Sequence, residues 1–347
     1  LSKVRVSIVM SVYNSAKFLK KSILSVLNQT YKEFELIIIN DGSTDSSVDI
    51  IKQFKDERIK LYENSQNKGL IYSLNKGISL STGTYIARFD ADDICSPDRI
   101  LEQVNYLENN RDISIVGSNA TLFLDTLPFI RKKVKVLKTS EEIKSELLFR
   151  NKLLFHPSIM LRKSIFQEST DYRYNPDHQM CEDFGLWQLL STKYAMNVIQ
   201  KPLLKYRISK TSITSNSRKK DALFTASMKK VYSQGLKLFG IDHDQRELEI
   251  HTELSMVSRG TDAYFSLEQK SEWLNKIIKH NESIGVYESQ SLKNICSEMF
   301  YLNCLRWGSY SEYRSSSFFQ IVPKSWSDFS VNKFKLIIIR KINQLFR

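Results

Sequence analysis

Glycine and proline are scarce in this chain, 11 and 6 of 347 residues. That scarcity argues against long flexible linkers. Cysteine is scarcer still. Cys95, Cys181, Cys296 and Cys304 form no CxxC pair, so the expectation is reduced thiols of an intracellular protein and no zinc site. No apolar run reaches the roughly 20 residues that a membrane-spanning helix needs. The apolar opening, Val4 to Val12, is too short for a secretory leader and lacks a cleavage pattern.

What is present is a folding composition with a strong positive excess. Hydrophobic residues make up 41% and charged residues 26%, which disfavours disorder. The formal net charge is +13. Such a charge attracts phosphate-bearing partners: nucleic acid, anionic lipid or nucleotide substrates. No recognition helix, RNP motif or finger pattern supports nucleic acid.

The first 120 residues alternate strand and helix signals. Val4–Tyr13, Phe34–Ile39, Ile59–Tyr62, Thr84–Phe89 and Ile113–Val116 read as strands. Between them, Ala16–Asn28, the stretch carrying Val48, Ile51 and Phe54, Leu70–Ser79 and the stretch from Pro97 read as helices. Ser43 or Thr44 is expected to cap the second of these. The alternation predicts an α/β fold with a mostly parallel sheet flanked by helices. From about 220 to 313 the pattern is helical, including Ser266–Lys279. A basic, Ser/Thr-rich stretch, Thr211–Lys220, suggests a boundary near 215. The tail Val331–Arg347 contains no acidic residue and reads as a basic amphipathic helix. It either meets an anionic membrane or docks on the protein's own core.

The strongest chemical signal is Asp90-Ala91-Asp92-Asp93 at a strand end. Ligands of open α/β sheets bind outside the carboxyl ends of strands. Crowded carboxylates repel unless a cation neutralises them, and hard oxygen ligands suit Mg²⁺ or Mn²⁺. A bare acidic turn would be the simpler reading, but other polar clusters also close strands. These are Tyr13-Asn14, Asp41 to Asp45, and Asn64 to Gly69 before the helix bearing Asn75 and Gly77.

The ordered series SIVMSVYN, IIINDGSTD, NKG, LNKGI and STGTYIARFDADD resembles the donor half of family 2 glycosyltransferases of the GT-A fold, over residues 4–110. His156-Pro157-Ser158 and Glu182 to Trp187 resemble acceptor-side motifs of bacterial members. The resemblance implies a catalytic domain over 1–215, its donor half about 1–110 and its acceptor half about 111–215. A mainly helical region, 216–347, follows. It implies that Tyr13, Asn14 and Asp41 hold the base and ribose. Asp90 and Asp92 would form the DxD pair, with Asp92 the direct metal ligand and Asp90 near ribose and metal; Gly69 and Ala91 would line the same donor site. Arg88 either balances the diphosphate or pairs with the aspartates. Asp183 would be the general base of an inverting transfer, with Glu182 the fallback. His156 either lines the acceptor pocket or is a bonded core histidine, and Trp187 is either a sugar platform or core.

Two departures stand out. Tyr206-Arg207 is followed by Ile208-Ser209-Lys210, where relatives often carry His, and Ser11 stands where many have Pro. Lys210 is a candidate replacement. A nucleotidyltransferase would carry a Gly-rich basic loop where Ser11 to Lys17 has no glycine. A non-catalytic nucleotide- or membrane-binding module sits poorly with intact Asp90, Asp92 and Asp183. The expectation is therefore sugar transfer, with a UDP donor favoured and a dTDP donor open. The acceptor would be a glycan or lipid-linked hydroxyl of a bacterial surface polysaccharide, capsule or lipopolysaccharide. The enzyme would be cytoplasmic, peripheral at the inner face of the membrane, and would not bind nucleic acid.

Overall fold

The computed structural model describes residues 5–125, 131–134, 136, 138–151, 154–208, 221–257, 263–325 and 327–333. Lys210, the 211–220 stretch and tail residues 334–347 lie outside the described residues. The chain divides into two compact units: Leu1–Ile143 with Asn151–Ser227, and Lys144–Arg150 with Met228–Arg347.

In chain order the elements up to residue 208 begin with β1 (Val6–Val12), α1 (Ala16–Leu27), β2 (Phe34–Asn40), α2 (Ser47–Lys52), β3 (Ile59–Glu63) and α3 (Leu70–Leu80). There follow β4 (Tyr85–Asp90), β5 (Ile94–Cys95), α4 (Arg99–Asn109), β6 (Ile113–Leu124), β7 (Arg131–Val134) and α5 (Ser140–Glu146). The series ends with β8 (Met160–Arg162), α6 (Ile165–Glu168), α7 (Glu182–Leu190) and β9 (Ala195–Ile208). The strands form one sheet in the order β3-β2-β1-β4-β8-β6-β9-β5, with β7 also paired to β6. The first four strands are parallel, as the sequence alternation requires. β8 enters antiparallel to β4 and β6 and makes the sheet mixed.

Strand alternation sorts side chains onto two faces. Ile8, Met10, Leu36, Ile38, Ala87 and Phe89 share one core with Leu19, Ile23, Ile100 and Val104 of α1 and α4. The other face carries Val9, against which α3 packs closely. A Cβ at Gly77 would lie 2.3 Å from a Val9 methyl.

Two expectations shift. Helix α2 starts from Ser46, not Ser43 or Thr44, and without a side-chain cap bond. Ser43 Oγ instead accepts the Asn14 N–H at 3.1 Å. β6 runs to Leu124, far past Val116. Its buried polar residues Ser118 and Asn119 interrupt the apolar pattern but find distant partners. Ser118 N–H donates to Ser158 Oγ at 3.2 Å, and Asn119 Oδ1 accepts from Val136 N–H at 2.8 Å.

From residue 221 the chain is helical: α8 (Asp221–Phe239), α9 (Gln245–Ser255), α10 (Leu267–Ile284), α11 (Ser289–Trp307), α12 (Tyr310–Ser315) and α13 (Ser317–Ile321). Ser266 and Gln269 form a capping box on α10, which closes at left-handed Gly285, φ 65°. Its face Trp273, Leu274 and Ile277 joins Leu236, Ile295 and Met299 in the second core. His251 is a core residue there. Its Nε2–H reaches the Leu148 carbonyl at 3.1 Å, and its Nδ1 accepts Trp273 Nε1–H at 3.1 Å. Burial pushes its pKa down to about 4. All four cysteines are buried and free.

Candidate functional site

β4 leaves the sheet carrying Ile86, Arg88 and Asp90 on one face, by strand alternation. That puts Arg88 and Asp90 side by side, and they form an ion pair. Beyond the strand end, carboxylate oxygens of Asp90, Asp92 and Asp93 all lie within 4.8 Å of one another. Burial, then the charge of Asp90, pushes Asp92 up to about 6. Burial and both neighbouring aspartates hold Asp93 well above the carboxylate range. Asp93 Oδ1 accepts the Arg207 N–H at 2.8 Å, while its buried Oδ2 has no partner among the described residues. Arg207 Nε–H also donates to the Asp92 carbonyl at 2.7 Å. This cluster of hard oxygens with an orphaned, buried carboxylate atom fits a divalent cation.

Arg88 is buried at 7% exposure, and burial works against its charge, but Asp90 keeps it firmly protonated. Arg88 is thus paired with Asp90. Its charge also acts on Glu182 and Asp183 at the start of α7. Asp183 Oδ1 accepts the Phe184 N–H at 2.7 Å, and Oδ2 accepts from Asn151 Nδ2 at 3.0 Å. Burial raises Asp183; burial and then the Asp183 charge push Glu182 up to about 7. Met180, just before the pair, holds φ at 67°, a costly left-handed conformation outside glycine. Glu182 lines a groove of about 560 Å³ with Lys68, Tyr72, Asn75, Gln179 and Met180.

The other sequence candidates divide into open and engaged residues. Tyr13 is 48% exposed at the end of β1. Asn14, at φ 48°, accepts N–H groups of Thr44 at 2.8 Å and Asp45 at 3.3 Å, so it ties two strand-end loops together. Asp41 is buried and engaged on both oxygens, by Asn64 Nδ2 at 2.7 Å and by the N–H groups of Lys68 at 2.9 Å and Gly69 at 2.8 Å. Its carboxylate therefore shapes the 64–69 loop. Gly69 sits at φ 90°, which favours glycine. Ala91 is buried in the sheet core. His156 Nε2 and the Tyr174 hydroxyl share a hydrogen bond of 2.7 Å. Burial, then the Arg88 charge, holds His156 neutral. Trp187 is fully buried, leaving no ring face for a sugar.

Sequence reasoning missed Asn151 and Tyr174. Neither stands in a motif, and only long-range contacts reveal their positions. Arg99 was missed too. It is fully buried and donates to the Arg88 carbonyl at 2.8 Å, holding the β4 end from beneath.

Comparison with known proteins agrees with this architecture. A model of glycosyl transferase family 2 matches residues 7–170. An uncharacterized glycosyltransferase of Methanocaldococcus jannaschii is 34% identical over 244 residues, covering 69% of this chain and 83% of that protein. An uncharacterized glycosyltransferase of Haemophilus influenzae is 32% identical over 216 residues, covering 58% of this chain and 65% of that protein, so the chain spans somewhat under two thirds of it. The fold resembles S. aureus TarS 1–349, solved with UDP, at TM-score 0.55 and 14% identity, covering 88% of this chain and 92% of that one. It also resembles the mannosyltransferase PcManGT of Pyrobaculum calidifontis, solved with GDP-Man and Mn²⁺, at TM-score 0.52 and 11% identity, covering 97% and 86%. Fold and sequence thus define a glycosyltransferase enzyme of the GT-A type. The chain belongs to glycosyl transferase family 2.

Proposed function

We propose that this chain moves a sugar from a nucleotide diphosphate donor, UDP-linked by preference, to a hydroxyl of a glycan or lipid-linked acceptor, with inversion. The observation that carries the reading is the cluster of Asp90, Asp92 and Asp93 at the end of β4, with carboxylate oxygens within 4.8 Å of one another and Asp90 paired to Arg88, whose charge also acts on Glu182 and Asp183. We assign the chemistry to residues 1–215 and a mainly helical accessory role to 216–347.

Asp92 and Asp90 would hold Mn²⁺ or Mg²⁺, with Asp93 fixing the turn through Arg207. When bound, the cation supplies charge stabilisation to the departing diphosphate. Asp183 takes the proton of the acceptor hydroxyl. Asn151 orients its Oδ2, and burial raises its basicity toward that task. Arg88 moderates the repulsion between the two groups. Tyr13 offers an exposed ring to the base, and Asp41 sets the 64–69 loop. The excess of positive charge supports work beside an anionic membrane. Surface polysaccharide or capsule synthesis in a bacterium is the setting we favour.

The direct test is calorimetric titration with UDP, dTDP and GDP, each with and without Mn²⁺. Metal-dependent binding of one nucleotide supports the donor site. Binding of none would remove the basis for the reading.

A further inference from the structure

Sheet register assembles a cationic face beside the carboxylate cluster. Lys133 of β7 and Lys205 of β9 both pair with Thr121 of β6. Residues paired across strands leave the sheet on the same side, so the three form a row. The next row on that side is Arg131, Phe123 and Arg207. Arg131, Lys133 and Lys205 are exposed, whereas Arg207 is buried over the Phe18 and Phe123 rings, 4.1 and 4.6 Å from their centroids. Lys17 of α1 joins the face through Asp125. Its Nζ lies 2.7 Å from Asp125 Oδ2, while Arg207 Nη1 lies 3.2 Å from Oδ1. Asp125 thus sits between Lys17 and Arg207, and Asp93 takes the Arg207 N–H, while Arg131, Lys133 and Lys205 add exposed cations. Lys205 also pairs with Ile94 of β5, the residue after Asp93. The face therefore begins where the candidate metal site ends.

Lysines often guard an edge strand against pairing with other chains. That accounts for β7. It does not account for Lys205, whose strand lies between β6 and β5, or for Lys17, which stands on a helix. The exposed cations spread over strands about 4.8 Å apart and over a helix end, an arrangement suited to a charged surface.

We propose that this face docks on an anionic lipid surface and holds the Asp90–Asp93 turn at the level of the headgroups, where a lipid-linked acceptor would present its hydroxyl. The purpose of the docking rests on the glycosyltransferase reading; the docking itself is tested without it. A cation near an anionic leaflet contributes about fivefold in binding.

The experiment is co-sedimentation of the full chain with phosphatidylcholine vesicles, with and without phosphatidylglycerol. K133E/K205E is compared with K55E/K60E, which makes the same charge change at exposed positions, Lys60 lying on edge strand β3. The expected result is a loss of at least about 25-fold for K133E/K205E on anionic vesicles, with K55E/K60E within a few-fold of the parent. If K133E/K205E melts early by circular dichroism, K17E/K133E replaces it with the same expectation. Equal losses in the face and control variants would reduce the binding to net charge and overturn the proposal. No loss in the face variant would leave Lys133 as an edge guard only and also overturn it. Nucleotide titration of the same variants reports separately on the donor site, so failure of docking and failure of the enzymatic reading are distinguishable.

Discussion

Asn75 of α3 and Tyr174 exchange two hydrogen bonds: Asn75 Nδ2–H donates to the Tyr174 carbonyl at 2.8 Å, and Asn75 Oδ1 accepts the Tyr174 N–H at 3.0 Å. The amide thus treats the Tyr174 backbone as a strand partner would. The Tyr174 ring lines a small cavity with Arg88 and Trp187, and its hydroxyl meets His156. Helix α3 is thereby fastened to the segment that leads through Met180 into Glu182 and Asp183.

Asn75→Ala should therefore displace the candidate base more than the donor. Two hydrogen bonds contribute about 2 kcal/mol together, so transfer turnover should fall roughly 30-fold. Nucleotide affinity should stay within about threefold. Single-turnover transfer and calorimetry check the split. Unchanged turnover would make the pair a structural stitch with no effect on the chemistry.

Asp92→Asn should remove most of the gain in nucleotide affinity that Mn²⁺ provides, because it replaces an ionisable oxygen in the three-carboxylate cluster. Titrations with and without Mn²⁺ measure this. A full metal effect in the variant would take Asp92 out of the ligand set.

Asp183→Asn should leave nucleotide binding intact and lower transfer by at least about 100-fold, the usual size of a general-base contribution. Normal transfer would move the role to Glu182, testable with Glu182→Gln.

The pH dependence follows from the same pair. Burial raises Asp183, and burial with the Asp183 charge brings Glu182 up to about 7. A base must be ionised to act, so the rate should rise with pH, with an acid limb nearer neutrality than the ordinary carboxylate value of about 4. The Asp183 charge raises Glu182, so Asp183 ionises first beside a neutral Glu182, and Glu182→Gln should leave the acid limb in place. A limb that moves to lower pH would make Glu182 the group whose ionisation controls the rate.

Gly77→Ala sets two effects against each other. Alanine favours a helix interior by about 1 kcal/mol over glycine. The new Cβ would stand 2.3 Å from Val9 Cγ1, and overpacking of a dense core costs about 1–3 kcal/mol. Net destabilisation of about 1 kcal/mol is expected in urea unfolding, partly relieved by adding Val9→Ala. A more stable single variant would show that Val9 turns aside at little cost.

Much of the first unit was legible in the sequence because its strands are short, continuously apolar and bounded by polar turns. β1, β2 and β4 and helices α1, α3 and α4 fall within a few residues of where periodicity puts them. The Asp90–Asp93 turn was legible for the same reason, since local charge crowding at a strand end is visible in one dimension. β6 beyond Val116 and β9 were not, because Ser118, Asn119 and Pro202 break the pattern and are accommodated by partners or register shifts supplied from afar.

The sequence by itself determined the family, the alternation of strand and helix, and the carboxylates available for chemistry. Tertiary structure decided which of those groups are open and which are engaged. Asp41 and Asn14 are occupied by loop amides, Trp187 is core, and Arg88 is an internal counter-ion; Tyr13 and Glu182 face open space or a groove. The physical reason is that burial and hydrogen-bond partnership depend on residues far apart in the chain. Asn151 beside Asp183, Tyr174 beside Asn75, and Lys133 beside Lys205 meet only once the sheet sets their register.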